Sequence, residues 1–220
     1  SSDLNKEVKD KVVNELKSLS NQDVLYFAGS ITDKIFVDQT FSHIFNEWGN
    51  IDCLINCAGI LRDFMSYRFD EKAWDLTINV NLKGTALCSQ AVSHHWVKQS
   101  KEKAKKLGKK RLDILEHSPK VIVNISSMVA DGNKGQMAYS ASKAGIIGMT
   151  YTLAKELVNY NVRVHAIKPT LIDTPILGEL LEKDDHKFEK YYKNRIPFGI
   201  GKPQYVSDVV CFLCSEGGYF

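Results

Sequence analysis

No apolar run in this chain reaches the roughly eighteen residues that a membrane-spanning helix requires, so a helical span is excluded. A surplus of one charge is missing too. Lysine and arginine number 29 against 26 acids, and the net +3 is too weak a bias for a nucleic-acid binder. Cysteine is sparse and odd in number, five in all, with no framework spacing. That argues against a disulfide scaffold and for a reducing, intracellular setting, mitochondrial or cytosolic. Cys211 and Cys214 have no second Cys/His pair to complete a zinc site, and they sit in the apolar run 209–213, where core packing is expected. Internal repeats and linkers are also absent, so residues 1–220 read as a single domain. The chain opens on Ser1, already in a helical pattern, and stops on Gly217-Gly218-Tyr219-Phe220 just past another helix. Both ends are expected to be cut.

What is present is ordinary for a globular domain: 44% hydrophobic and 25% charged residues. Leu4, Val8, Val12, Leu16 and Leu19 recur at helical spacing and predict an amphipathic helix. Residues 24–28 form a short apolar run, read as a strand. Residues 33–48 predict a helix with Ile35, Phe36, Phe41, Ile44, Phe45 and Trp48 as its buried side and Gly49-Asn50 as its stop. A strand is expected at 51–56, ending in Asn56-Cys57-Ala58-Gly59, then helices over 70–78 and 80–106. The continuous β-branched run 121–125 predicts a buried parallel strand. After it come a helix over 138–160, a strand over 162–167 stopped by Pro169, a charged helix over 174–192 and a last helix over 203–215. Alternating strands and helices argue for an α/β fold with helices on both faces of a parallel sheet. In such sheets ligands sit beyond the carboxyl ends of the strands. Here those ends carry Gly29-Ser30, Asn56-Cys57-Ala58-Gly59, Ser126-Ser127 and Pro169-Thr170, all small or polar.

Just past one of these ends, Tyr139 and Lys143 stand four residues apart, one turn from each other on one helix face. A phenol ordinarily titrates near 10. A neighbouring ammonium favours the phenolate and would bring the group into range for acid–base work, while a serine at the strand end could hold a substrate oxygen beside it. Spacing alone does not decide, because Tyr151 and Lys155 repeat it deep inside the same helix, away from any strand end.

Taken together, these segments resemble the short-chain dehydrogenase/reductase family along nearly the whole chain. Asn56-Cys57-Ala58-Gly59 is similar to the family's Asn-Asn-Ala-Gly turn. Val80 to Gly84 resembles the segment whose asparagine holds a relay water, Val123 to Ser127 the strand of the catalytic serine, and Tyr139-x3-Lys143-Ala144-Gly145 the catalytic helix. Arg163 to Pro169 and on to Thr174-Pro175 resembles the strand and loop that close over the nicotinamide. The resemblance implies a Rossmann-type, doubly wound parallel sheet in three layers and an NAD- or NADP-dependent oxidoreductase. It implies Tyr139 as acid/base, Lys143 as the group that lowers its pKa and binds the ribose, Ser127 as the orienter of the substrate oxygen and Asn81 as the holder of the relay water. For cofactor binding it implies Asn56, Ala58, Gly59, Tyr139, Lys143, Pro169, Ile172 and Thr174. Residues 56–63, 81–85 and 135–145 look most like 3-oxoacyl-[acyl-carrier-protein] reductases, and equally like the related mitochondrial 17-beta-hydroxysteroid dehydrogenase type 8. A 3-oxoacyl or 3-hydroxyacyl thioester substrate of fatty acid metabolism follows, with steroid or other secondary alcohols as the alternative, and a homo- or hetero-tetramer as the assembly.

The sequence departs from that pattern in places. The family's opening βαβ unit of about 30 residues, with its Gly-x3-Gly-x-Gly turn, is not found, nor is its last strand. A non-catalytic scaffold that has lost dinucleotide binding is therefore a second reading. Ser30 replaces an aspartate, and Thr170 replaces the glycine after Pro169, crowding the nicotinamide. Ser127 lies twelve residues before Tyr139 where thirteen is usual; counting favours Ser126, whereas the strand match favours Ser127, which is preferred. Between Lys98 and Arg111 the chain carries eight basic residues against one acid; subtracting that +7 from +3 leaves about −4 elsewhere. The segment is either a solvated helix end and loop or a docking patch for an acidic acyl carrier protein.

Overall fold

Three short apolar runs set the frame. The computed structural model describes residues 4–19, 23–175, 177 and 196–219. Among these, strands β1 (Cys53–Asn56), β2 (Lys120–Ile125) and β3 (Val162–Ile167) form one parallel sheet in the order β1-β2-β3. Cys53 pairs with Val121, and Val121 with Arg163. β2 is central and buried on both faces, which is why Val121-Ile122-Val123 run on without alternation. Helices α1 (Leu4–Leu19), α2 (Lys34–Trp48), α3 (Glu71–Ile78), α4 (Thr85–Lys106), α5 (Met137–Leu157) and α6 (Pro203–Cys214) complete the described elements. Ile122 and Val164 face Val37, Phe41, Val92 and Trp96 of α2 and α4 in the main core. On the other face, Arg163 donates to the Leu213 carbonyl of α6 at 2.7 Å. Helices thus cover both sides of the sheet, as the α/β reading requires. Each fully buried valine or isoleucine here contributes about 1.5–3 kcal/mol.

Local chemistry explains the helix ends. The Asp33 carboxylate caps α2 by accepting from Ile35 N at 2.9 Å and Phe36 N at 3.3 Å. Gly49 ends the helix at φ 74°, a conformation that suits a residue without Cβ. The buried side of α2 agrees with the expected one in its middle: Phe41 is buried, and Phe36 and Phe45 pack partly buried against the core beside the buried Val37. At its ends it differs, since Ile35 is 69% and Trp48 49% exposed.

Residues 24–28 do not form the expected strand. A strand exists only where a neighbour completes its ladder, and no described residue does so. α1 is helical as expected, yet Val12, Leu16 and Leu19 of its apolar stripe are exposed. The two helices read over 70–78 and 80–106 are joined end to end: α3 runs into a π-helical turn, Asn79–Gly84, and directly into α4. Cys211 and Cys214 are not core residues; Cys211 is exposed and Cys214 half-buried, facing the Cys53 thiol across the sheet face. The helix read over 174–192 falls almost wholly outside the described residues. No described helix is long and apolar enough to cross a membrane, and no described cluster of three or more His, Cys, Asp or Glu could hold a metal.

The basic segment lies far from the strands' carboxyl ends. α4 starts beside those ends, then passes the amino side of the sheet, where Trp96 donates to the Ile51 carbonyl at 2.9 Å and Lys103 to the Glu116 carbonyl at 2.8 Å. At 1.5 Å per residue, Lys98 and Lys106 are about 20 and 32 Å along the axis from Thr85. Part of the segment's charge is already spent, since Lys109 pairs with Glu116 at 2.6 Å. A carrier docked on 98–111 would face the wrong end of the sheet.

At the correct end, a buried polar chain locks the layers together. Asn56 donates to Ser89 Oγ at 3.1 Å and to Asn124 Oδ1 at 2.8 Å, and Asn124 donates to Thr150 Oγ1 at 2.9 Å. This links β1, β2, α4 and α5. Asn124→Ala is expected to cost about 1–3 kcal/mol for each partner it leaves unsatisfied, measured by chemical denaturation; a loss below 0.5 kcal/mol, roughly the size of a surface change, would remove the network from the account.

Candidate active site

β2 stops where its sequence turns from β-branched to hydroxyl-bearing. Ser126 is buried, and its hydroxyl donates to the backbone carbonyl of Lys143 at 2.8 Å. The Lys143 side chain returns the contact, Nζ donating to the Ile125 carbonyl at 2.7 Å. α5 is thereby fastened to the end of β2 at both the main chain and the side chain of one residue. Lys143 is only 4% exposed. Burial pushes its ammonium down to about 8, with the nearby Cys57 thiol pulling the other way.

One helical turn earlier, Tyr139 lies with its ring 5.6 Å from Lys143 Nζ. The next residue after Ser126, Ser127, begins the 3-10 turn Met128–Asp131 and hydrogen-bonds through its hydroxyl with the Tyr139 phenol. The expectation that Lys143 lowers the phenol is not met. Burial raises it above the ordinary tyrosine value, the Ser127 hydroxyl opposes the rise and the Asp63 carboxylate adds to it. Desolvation is the largest cause, and the ammonium is engaged with the Ile125 carbonyl. The phenol is accordingly held protonated at neutral pH.

Asn81 sits in the π turn, wholly buried. Its Oδ1 accepts from Ile60 N at 2.8 Å, and its Nδ2 donates to the Ile60 carbonyl at 3.0 Å and to Ser142 Oγ at 3.1 Å. The wider turn aims this side chain at the 58–60 turn and α5 simultaneously, a use to which π segments are often put. Between these groups lies Gly59, where an added Cβ would come 3.4 Å from Asn81 Oδ1 and 3.6 Å from Lys143 Nζ.

A cavity of about 230 Å³ opens at this point. Its wall includes Gly59, Ser127, Tyr139, Lys143, Pro169, Ile172 and Thr174, so seven of the sequence-predicted site residues converge. Three do not line it. Asn56 points into the polar chain inside the sheet, Ala58 is exposed, and Asn81 stands behind the wall. Thr170 lines the cavity as expected from its place after Pro169. The 169–174 loop is secured on two sides: Met128 N donates to the Pro169 carbonyl at 2.9 Å, and Gly201 N to the Leu171 carbonyl at 2.9 Å. Tyr151, the duplicate spacing, is 66% exposed and far from this cluster's chemistry.

Sequence reasoning missed Cys57, Met128 and Gln136 on the wall. It also missed Asp63, whose Oδ2 accepts from Gln136 Nε2 at 3.0 Å. Gln136 lies three residues before Tyr139, inside a segment that was read, but nothing in its spacing marked it. Asp63 carries no local signal at all, because its role depends on a contact across 73 residues.

The residues fit a nicotinamide ribose. Lys143 has three N–H groups and spends one on Ile125; the space kept free by Gly59 adjoins the remaining donors. Across the full length, residues 1–220 match the family model described as enoyl-(acyl carrier protein) reductase. The chain is 38% identical over 216 residues to the 3-oxoacyl-[acyl-carrier-protein] reductase FabG of Thermotoga maritima, covering 97% of this chain and 78% of that protein. It is 37% identical over 198 residues to the BbsD subunit of the (2S)-[(R)-hydroxy(phenyl)methyl]succinyl-CoA dehydrogenase of Thauera aromatica, with 90% and 71% covered. It is 38% identical over 169 residues to the (3R)-3-hydroxyacyl-CoA dehydrogenase of Rattus norvegicus, with 76% and 57% covered.

The two adjacent serines provide a direct test of this geometry. Ser126→Ala is expected to lower stability by about 1 kcal/mol, because it removes a buried hydrogen bond between β2's end and α5, with a smaller effect on turnover. Ser127→Ala is expected to leave stability nearly unchanged and to reduce kcat/KM. Denaturation curves and steady-state kinetics on both variants check the pair; the reverse pattern would reassign the serines.

Proposed function

The chain belongs to the short-chain dehydrogenase/reductase family of NAD(P)-dependent oxidoreductases, and we propose that it reduces a 3-oxoacyl thioester or, in reverse, oxidises the 3-hydroxyacyl form. The observation that carries this reading is the convergence of Tyr139, Ser127 and Lys143 on one cavity beyond the carboxyl ends of the strands. The relatives in Thermotoga maritima and Rattus norvegicus, named for 3-oxoacyl and 3-hydroxyacyl substrates, support the substrate class.

In this reading Ser127 orients the substrate carbonyl oxygen. As that oxygen gains negative charge, Tyr139 donates its proton, and both groups favour the developing alkoxide more than the ground-state carbonyl. A bound nicotinamide, NAD or NADP, supplies the hydride. Lys143 would hold the ribose hydroxyls with its remaining N–H groups, while Gly59, Pro169, Ile172 and Thr174 would shape the pocket around the ring. An ammonium lowered to about 8 can also pass a proton towards Tyr139 and regain it from solvent. The Asn81 amide is spent on Ile60 and Ser142, so a relay water would be held at its backbone carbonyl, which also accepts from Thr85 Oγ1 at 2.7 Å. A carrier-borne substrate would enter from the cavity mouth, with its carrier docked at the carboxyl ends of the strands and not on 98–111.

Tyr139→Phe is the experiment. It is expected to lower kcat with an acetoacetyl thioester by about a hundred- to ten-thousand-fold, while nucleotide binding followed by fluorescence is retained. Turnover at the wild-type rate would reject the acid–base assignment, and faster wild-type turnover of estradiol than of the thioester would reject the substrate class.

A further inference from the structure

The cavity wall holds a buried amide side chain that the reaction scheme above does not use. Gln136 is 7% exposed and lines the cavity. It caps α5 three residues before Tyr139, and residues at that separation on a helix have Cβ atoms about 5–6 Å apart. Its main chain is anchored. The carbonyl accepts from Ser140 N at 2.7 Å, and an isolated parallel bridge joins Gln136 to Phe64, whose N–H donates to the Gly135 carbonyl at 2.9 Å. The amide is oriented as well. An ionised carboxylate only accepts, so the amide nitrogen faces Asp63, donating to Oδ2 at 3.0 Å, and the oxygen accepts from Asn133 Nδ2 at 2.8 Å. An amide nitrogen carries two N–H groups, and the second has no partner among the described residues.

We propose that Gln136 is a specificity-determining residue: its second N–H donates to the thioester carbonyl of a 3-oxoacyl substrate while Ser127 and Tyr139 take the ketone oxygen. The inference rests on the substrate class proposed above and deepens it. The two carbonyls of such a substrate are separated by one carbon, so its recognition calls for a further donor a short step from the first pair. The other polar side chains on the wall are poorly suited. Ser126 donates to the Lys143 carbonyl at 2.8 Å and Thr174 to the Ile172 carbonyl at 3.2 Å, while Lys143 Nζ lies towards Gly59. Cys57 and Thr170 are exposed residues, and a thiol is in any case a weak donor. Much of the remaining wall is apolar, Leu61, Met128, Val129 and Leu171 among it. A ligand that fills the cavity without a carbonyl opposite Gln136 strands the amide N–H away from water, which costs binding.

Two inhibitors isolate this contact, because neither carries a ketone to be reduced. They are the 3-hydroxybutyryl thioester and its matched thioether, in which the thioester carbonyl is a methylene. The inhibition constant of each is measured against reduction of the acetoacetyl thioester. The wild-type protein is expected to bind the thioester roughly three- to ten-fold more tightly than the thioether. Gln136→Met, similar in length but without a donor, is expected to bind the two alike. Any loosening of the contact with Asp63 acts on both inhibitors and leaves their ratio unchanged. Equal binding of the two by the wild-type protein would overturn the inference without any variant, and so would a wild-type ratio in Gln136→Met. No reduction of the acetoacetyl thioester by the wild-type protein would instead overturn the substrate class beneath it, and the inference with it.

Discussion

The hydrogen bond from the Lys143 ammonium to the Ile125 carbonyl is the contact on which the site depends. A cation taken out of water must find a partner or lose its proton. This one finds the carbonyl at the end of the central strand, 2.7 Å away. Because Ser126 grips the Lys143 main chain from the same strand end, the helix cannot slide or turn relative to the sheet. Tyr139, one turn towards the helix start, is delivered to Ser127 as a consequence. A hydrogen bond made by a charged group contributes about 1.5–3 kcal/mol, so the register of the catalytic helix is guarded by more than its apolar packing.

The same burial that makes this contact strong also sets the chemistry. Desolvation lowers Lys143 to about 8 and raises Tyr139, moving the two groups in opposite directions and apart from their nearly equal ordinary values. A phenol kept neutral is a donor, which is what a developing alkoxide needs. Ser127 and Asp63 then adjust the phenol in opposite directions, one by a hydrogen bond and the other by its charge.

Much of this was legible in the sequence because the decisive signals are local. The β-branched run of β2, its change to serine, and the four-residue step from Tyr139 to Lys143 each lie within a few residues. Seven predicted residues meet on one cavity wall for that reason. The failures share the opposite cause. Whether 24–28 becomes a strand depends on a neighbour, and how far the buried side of α2 extends depends on where the sheet lies. The π turn arises from hydrogen bonds made by Asn81 across 21 and 61 residues, and composition gave no hint of it. The direction of the Tyr139 shift was misjudged because spacing reports proximity of an ammonium and says nothing of desolvation. The basic segment 98–111 was visible as a charge run, but its place at the far end of α4 became evident only with the fold.

The central claim is that this arrangement reduces a 3-oxoacyl thioester by hydride transfer with proton delivery from the protein. Mass spectrometry of the product formed from an acetoacetyl thioester and reduced nicotinamide nucleotide carrying deuterium at both positions of carbon 4 tests it most directly. The account predicts a 3-hydroxyacyl thioester with a single deuterium on carbon 3 and none elsewhere. An unlabelled product, or no conversion with either NADH or NADPH, would contradict it.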